Sequence, residues 1–126
     1  MFKVGEIVKY APGWYNDGEQ YYIHMVKEVN PDTKMVLIDT LNTTLMLGSS
    51  ERVHEDMIQK AKKYEVILNR SVIGRKFIIT NTEDRKFFAG YDAMGSVNWV
   101  DSDLEATGLD LEEAEQIVRD LESADM

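Results

Sequence analysis

Residues 20–41 read QYYIHMVKEVNPDTKMVLIDTL. From Gln20 to Val29 the chain is rich in aromatic and β-branched residues, which suit a pleated, half-buried strand. Asn30-Pro31-Asp32 then supplies three turn formers, and Lys34 to Leu41 resumes as a strand carrying Val36 and Ile38 on one face. The stretch predicts a β-hairpin. On its N-terminal side, Val4 to Tyr10 reads as a short strand broken at Gly5, followed by Ala11-Pro12-Gly13-Trp14-Tyr15-Asn16-Asp17-Gly18, a turn-rich loop that carries aromatic rings. On its C-terminal side, Thr43 to Leu47 reads as a further strand ended by Gly48-Ser49-Ser50. Four or five short strands within about fifty residues predict a small, strongly bent sheet or barrel.

Beyond this region the hydrophobic period changes. Met57, Ile58, Ala61, Tyr64 and Leu68 recur at helical spacing, with Gln59, Lys60, Lys62 and Lys63 between them, so a helix is expected over 54–69. Val66 and Ile67 fall off that face, and a strand from Tyr64 to Leu68 stays open. Ser71 to Gly74 reads as a loop. Lys76 to Thr80, Lys86 to Tyr91 and Ser96 to Val100 read as three antiparallel strands, with turns at Asn81 to Arg85 and Asp92 to Gly95. Last comes an amphipathic helix. Asp110 is its expected N-cap, Glu113 completes a capping box, and Leu111, Ala114, Ile117, Val118 and Leu121 form one apolar stripe. The expected class is therefore α+β. Its parts are a small β-barrel module over 1–54, a connecting helix over 55–70, and a β-meander packed by an acidic helix over 71–126.

The opening Phe2-Lys3-Val4-Gly5-Glu6-Ile7-Val8 resembles the start of many SH3-like barrels, and the order of the following strands agrees with that resemblance. It implies a fold and no function. The chain as a whole resembles small phage and mobile-element proteins of Gram-positive bacteria.

Charge is distributed unevenly along the 126 residues. Residues 1–100 hold 13 Lys/Arg and 13 Asp/Glu, whereas residues 101–126 hold one Arg and 10 Asp/Glu, so the final stretch carries the whole formal charge of −9. Such a segment attracts basic surfaces and repels phosphate backbones. There is no cysteine, which removes disulfides, thiolate metal sites and cysteine nucleophiles. The opening MFKVGEIVKY lacks the apolar run of a signal peptide, and nowhere do roughly 18 apolar residues run together, so the expected location is cytoplasmic and no membrane partner is expected. Two very small modules bury little apolar surface alone, so they should pack together or oligomerise, and a homodimer stays open.

The only histidines, His24 and His54, lie in no nucleophile, zinc or phosphate-loop motif, so no catalytic site and no cofactor is expected. A carboxylate pair for acid–base work stays open, because spacing along the chain does not show separation in space. Asp101, Asp103, Glu105, Thr107 and Glu112 fall at positions 1, 3, 5, 7 and 12 of a calcium loop. Ala106 nevertheless stands where the sharp turn calls for glycine, Gly108 where an apolar residue belongs, and a strand precedes the loop, so a solvated acidic connection is the favoured interpretation.

Two surfaces are candidates for binding. One is the acidic face of the last helix, Glu112, Glu115, Asp120 and Glu122, which suits a protein partner with a basic surface. The other is the aromatic loop, with Tyr10, Trp14, Tyr15, Tyr21 and Tyr22, whose rings suit stacking on bases or receiving a peptide. For nucleic acid a basic stripe is also wanted, and Lys3, Lys9 and Lys27 are scattered. The expected function is accordingly non-enzymatic: an interaction protein that inhibits a host nucleic-acid enzyme, with a nucleic-acid-binding accessory module as the alternative.

Overall fold

The computed structural model describes residues 2–42, 50–69 and 77–125. The strand expected over Thr43 to Leu47 and the loop expected over Ser71 to Gly74 lie outside the described residues. The chain is α+β; its described residues form two antiparallel sheets and one α-helix at the C-terminal end. It divides into two compact units, Met1–Ala61 and Lys62–Met126.

The first unit contains β1 (Ile7–Tyr10), β2 (His24–Asn30), β3 (Met35–Thr40), β4 (Ser50–His54) and β5 (Ile58–Lys60), hydrogen-bonded in the order β4-β3-β2-β1-β5. Strand residues alternate between faces, and the residues of one parity are apolar. Val8, Tyr10, Val26, Val36, Ile38, Val53 and Ile58 therefore meet in one core. The hairpin read from residues 20–41 forms, with Val26 opposite Ile38 and Asn30 opposite Met35. Its turn is held by Asn30, whose side-chain oxygen accepts from the amides of Asp32 and Thr33 at 3.0 and 3.3 Å, while Lys34 takes a left-handed φ of 62°. Asn81 and Arg85 repeat the device in the second unit: Asn81 accepts from Glu83 and Asp84, and Arg85 has φ 57°.

The helix expected over 54–69 is not present. Glu55–Met57 is a single 3₁₀ turn, β5 follows, and β6 (Tyr64–Leu68) begins the second sheet. Pairing with distant strands overrides the local period: Ile58 lies opposite Tyr10 of β1, and Val66 lies opposite Ile79 of the next strand. The connecting element expected over 55–70 is thus divided between the two units.

The second unit pairs β6, β7 (Phe77–Asn81), β8 (Lys86–Tyr91) and β9 (Val97–Val100) in that order. A bulge between Phe88 and Tyr91 places Gly90 at φ 90°, a conformation that a side chain disfavours. The chain then returns to the sheet. The Thr107 amide donates to the Phe88 carbonyl at 2.9 Å, and Phe77 and Leu109 exchange two backbone bonds of 2.8 and 3.1 Å. This anchored segment aims α1 (Leu111–Ala124) across the sheet, where Ala114 and Leu121 pack with Tyr64, Ile79 and Phe88. Among the described residues, no helix is long and apolar enough to cross a membrane.

Candidate functional site

The apolar stripe of α1 fixes which way its charges point. Ala114 and Leu121 are buried and Leu111, Ile117 and Val118 half-buried, so Glu112, Glu115, Asp120 and Glu122 stand in solvent. At about 100° per residue, Glu112, Gln116, Arg119 and Ser123 run along the middle of the exposed arc, with Glu115 and Glu122 on one flank and Asp120 on the other. Glu112 to Glu122 covers about 15 Å at the helical rise. Among the described residues none of the four makes an ion pair. Asp120 accepts from Gln116 at 3.0 Å, and Gln116 accepts in turn from Arg119, the helix's one cation, at 2.9 Å. A shallow depression of about 460 Å³ lies on this side, lined by Asp110, Glu112, Glu113, Gln116, Ile117 and Arg119.

Two other carboxylates of the acidic stretch are paired within the unit. Lys86 pairs with Asp101 at 2.9 Å, and Asp125 accepts from Lys63 at 2.9 Å and from the Tyr64 hydroxyl at 2.6 Å. The hydrogen bond from Lys63, with that from Tyr64, holds the Asp125 carboxyl below its usual range. These contacts tie the end of α1 to β6. At the other end Asp110 is the N-cap, but its side chain makes no capping hydrogen bond, so the expected capping box is not closed from that side. The calcium-loop positions are likewise drawn into the fold: Asp101 is engaged by Lys86, Asp103 and Glu105 lie in a 3₁₀ turn, and Thr107 is bonded to β8. Among the described residues no three His, Asp or Glu side chains gather as metal ligands would.

The aromatic loop is only partly a surface. Trp14 is 54% and Tyr15 36% exposed, whereas Tyr21 and Tyr22 are half-buried. Tyr10 is not available for contact. It ends β1 on the inward parity and is 8% exposed, a core residue. The loop is built rather than slack: the Ala11 amide donates to Met57, Asn16 and Glu19 bond reciprocally at 2.9 and 3.0 Å, and Glu19–Tyr21 forms a 3₁₀ turn. Buried Asn42 holds its exit, accepting from the Ile23 amide and donating to the Tyr21 carbonyl. Three cations elsewhere in the unit are paired, Lys27 with Asp39, Arg52 with Glu28 and Lys60 with Glu6.

The structure gathers one polar group of the first unit whose members the sequence leaves apart. His24 is 3% exposed, and its Nδ1 lies 2.9 Å from the Thr40 hydroxyl. Its ring meets Tyr10 edge to face at 5.1 Å, and the Tyr10 hydroxyl donates to the Glu51 carboxylate. Burial pushes the His24 pKa down from 6.5 to about 4, against the pull of the Glu51 and Glu19 carboxylates. Burial first, and then the bond to Glu51, raises the Tyr10 phenol well above its ordinary value. The signal available in the sequence was strand parity, since His24 shares the inward face with Val26. Comparison with known protein families, with curated proteins and with solved structures gives no match.

Proposed function

We propose that the protein is a non-enzymatic interaction protein that binds a basic protein surface through the exposed face of α1. Its role is that of a cytoplasmic phage or mobile-element inhibitor, which presents carboxylates where a host nucleic-acid enzyme expects phosphates. One observation carries this: Glu112, Glu115, Asp120 and Glu122 are exposed and make no ion pair among the described residues, on a helix whose opposite side is committed to the sheet. Exposed pairs are individually weak, at roughly 0–1 kcal/mol each. A row of like charges acts instead by steering a complementary surface into place and rejecting wrong partners. The depression beside Glu112 and Glu113, floored by Ile117, suits the aliphatic stem and charged head of a partner lysine or arginine.

An SH3-like barrel for the first unit belongs to the same proposal. It is supported by the strand order β4-β3-β2-β1-β5, the long loop between β1 and β2, and the 3₁₀ turn before β5. Exposed Trp14 and Tyr15 on that loop favour a second function, stacking on nucleic acid. Capture from a bacterial lysate with and without nuclease separates the two. A protein partner survives nuclease and elutes with salt, whereas loss of capture on nuclease treatment transfers the function to the loop.

A further inference from the structure

We propose that Tyr10, His24 and Glu51 form an acid-triggered latch at the neck of the aromatic loop, holding residues 11–20 against the sheet at neutral pH and releasing them when His24 takes up a proton. Tyr10 is the last residue of β1 and His24 the first of β2, so these two rings stand where the chain enters and leaves the loop. Their edge-to-face contact at 5.1 Å and 77° closes the neck.

His24 is a poor host for a charge. Its Nδ1 is engaged by Thr40, but Nε2 is buried and has no hydrogen-bond partner among the described residues. A neutral imidazole leaves one site unmet, at a tolerable cost, whichever tautomer it adopts. A protonated ring carries N–H on both nitrogens, and Nε2–H becomes a buried cationic donor facing no acceptor. The titratable groups turned toward it are Tyr10 from β1, Glu51 from β4 and Glu19 from the 3₁₀ turn inside the loop, while β3 contributes only the uncharged Thr40. Nε2 bonds to neither carboxylate, so the protonated ring must move to reach one. That movement breaks its contacts with Tyr10 and Thr40. The hold of Asn42 on Ile23 and Tyr21 involves no titratable group and sets the limit of the opening. The latch operates whatever ligand the loop carries.

NMR of the full chain tests this, following the His24 ring and the Trp14 indole N–H in one titration from pH 7 to pH 3.5. The latch requires His24 to titrate far below the ordinary histidine range, with Trp14 shifting at the same midpoint while the Val36 and Ile38 core amides keep their native positions. In His24→Gln the Trp14 shift should be lost. Should that variant not fold, coincidence of the two midpoints in the parent decides alone. Titration of His24 near 6.5, a Trp14 signal that ignores it, or an unaltered Trp14 shift in a folded His24→Gln protein each overturns the proposal.

Discussion

Replacing His24 with leucine should remove part of the acid sensitivity of the first unit, and the size of that part follows from burial of the ring. The unfolded chain binds a proton on histidine near 6.5, whereas the folded chain resists until about 4. Between those values the unfolded state holds more protons, so falling pH favours unfolding. The loss begins as pH drops through 6.5 and is complete below about 4. A shift of that size corresponds to about 3 kcal/mol, a large share of the roughly 5–15 kcal/mol available to a small domain. At pH 7 leucine removes the unmet Nε2 but strands the Thr40 hydroxyl; the two effects are similar in size, and stability should change by about 1 kcal/mol or less. Urea unfolding of the full chain at pH 7 and pH 4, read at core resonances of Val26 and Ile38, measures the difference. Other groups titrate alike in both proteins, so the excess loss in the parent isolates His24. Equal losses in parent and variant would refute a buried, neutral histidine.

Leu121→Ala should destabilise the second unit by about 2–4 kcal/mol, seen as a lower denaturation midpoint, because a buried side chain that anchors α1 to the sheet is cut back. Gly90→Ala should cost about 1–3 kcal/mol in the same assay despite the room around it, since φ 90° is strained for a residue with a Cβ. Trp14→Ala should alter stability by about 0.5 kcal/mol or less, as expected at an exposed site, while lowering any capture that depends on the loop. Ultraviolet titration of the tyrosines should leave the Tyr10 phenol protonated well beyond the ordinary range, with that of Tyr64 raised as well, and Glu51→Gln should bring the Tyr10 phenol alone back toward it.

The elements legible in the sequence were those whose burial depends on their own residues. The 20–41 hairpin follows from parity and the Asn30 turn, and α1 follows from its stripe. Residues 54–69 misled because Ile58, Ala61 and Tyr64 satisfy a helical spacing while being buried for three separate reasons. Ile58 is paired with β1, the Ala61 amide donates to Ile7, and Tyr64 stacks on Trp99 at 5.9 Å. Partners some fifty residues earlier or thirty-five later leave no local trace, and only the off-face Val66 and Ile67 hinted at a strand. The exposure of Glu112, Glu115, Asp120 and Glu122 was readable because a helix with one greasy side leaves its other side in water. Tyr10 corrects the binding surface for the converse reason: the sequence places it at the end of a strand yet groups it with the aromatic loop, whereas its strand parity points it inward. The His24 group could not be assembled beforehand, since Thr40 and Glu51 reach it only through the β2–β3 and β3–β4 registers.

Charge reversal puts the acidic face itself to the test. Changing Glu112, Glu115, Asp120 and Glu122 to Lys adds eight charges and moves the formal net charge from −9 to −1. The stripe from Leu111 to Leu121 is untouched, and only Glu112, in the first turn, gives up about 0.3–1 kcal/mol of helix-dipole stabilisation. With the helical circular dichroism retained, nuclease-resistant capture of a basic partner should disappear in the variant, and in the parent it should weaken steeply with added salt. Capture of that partner at undiminished strength by the folded variant would contradict the account.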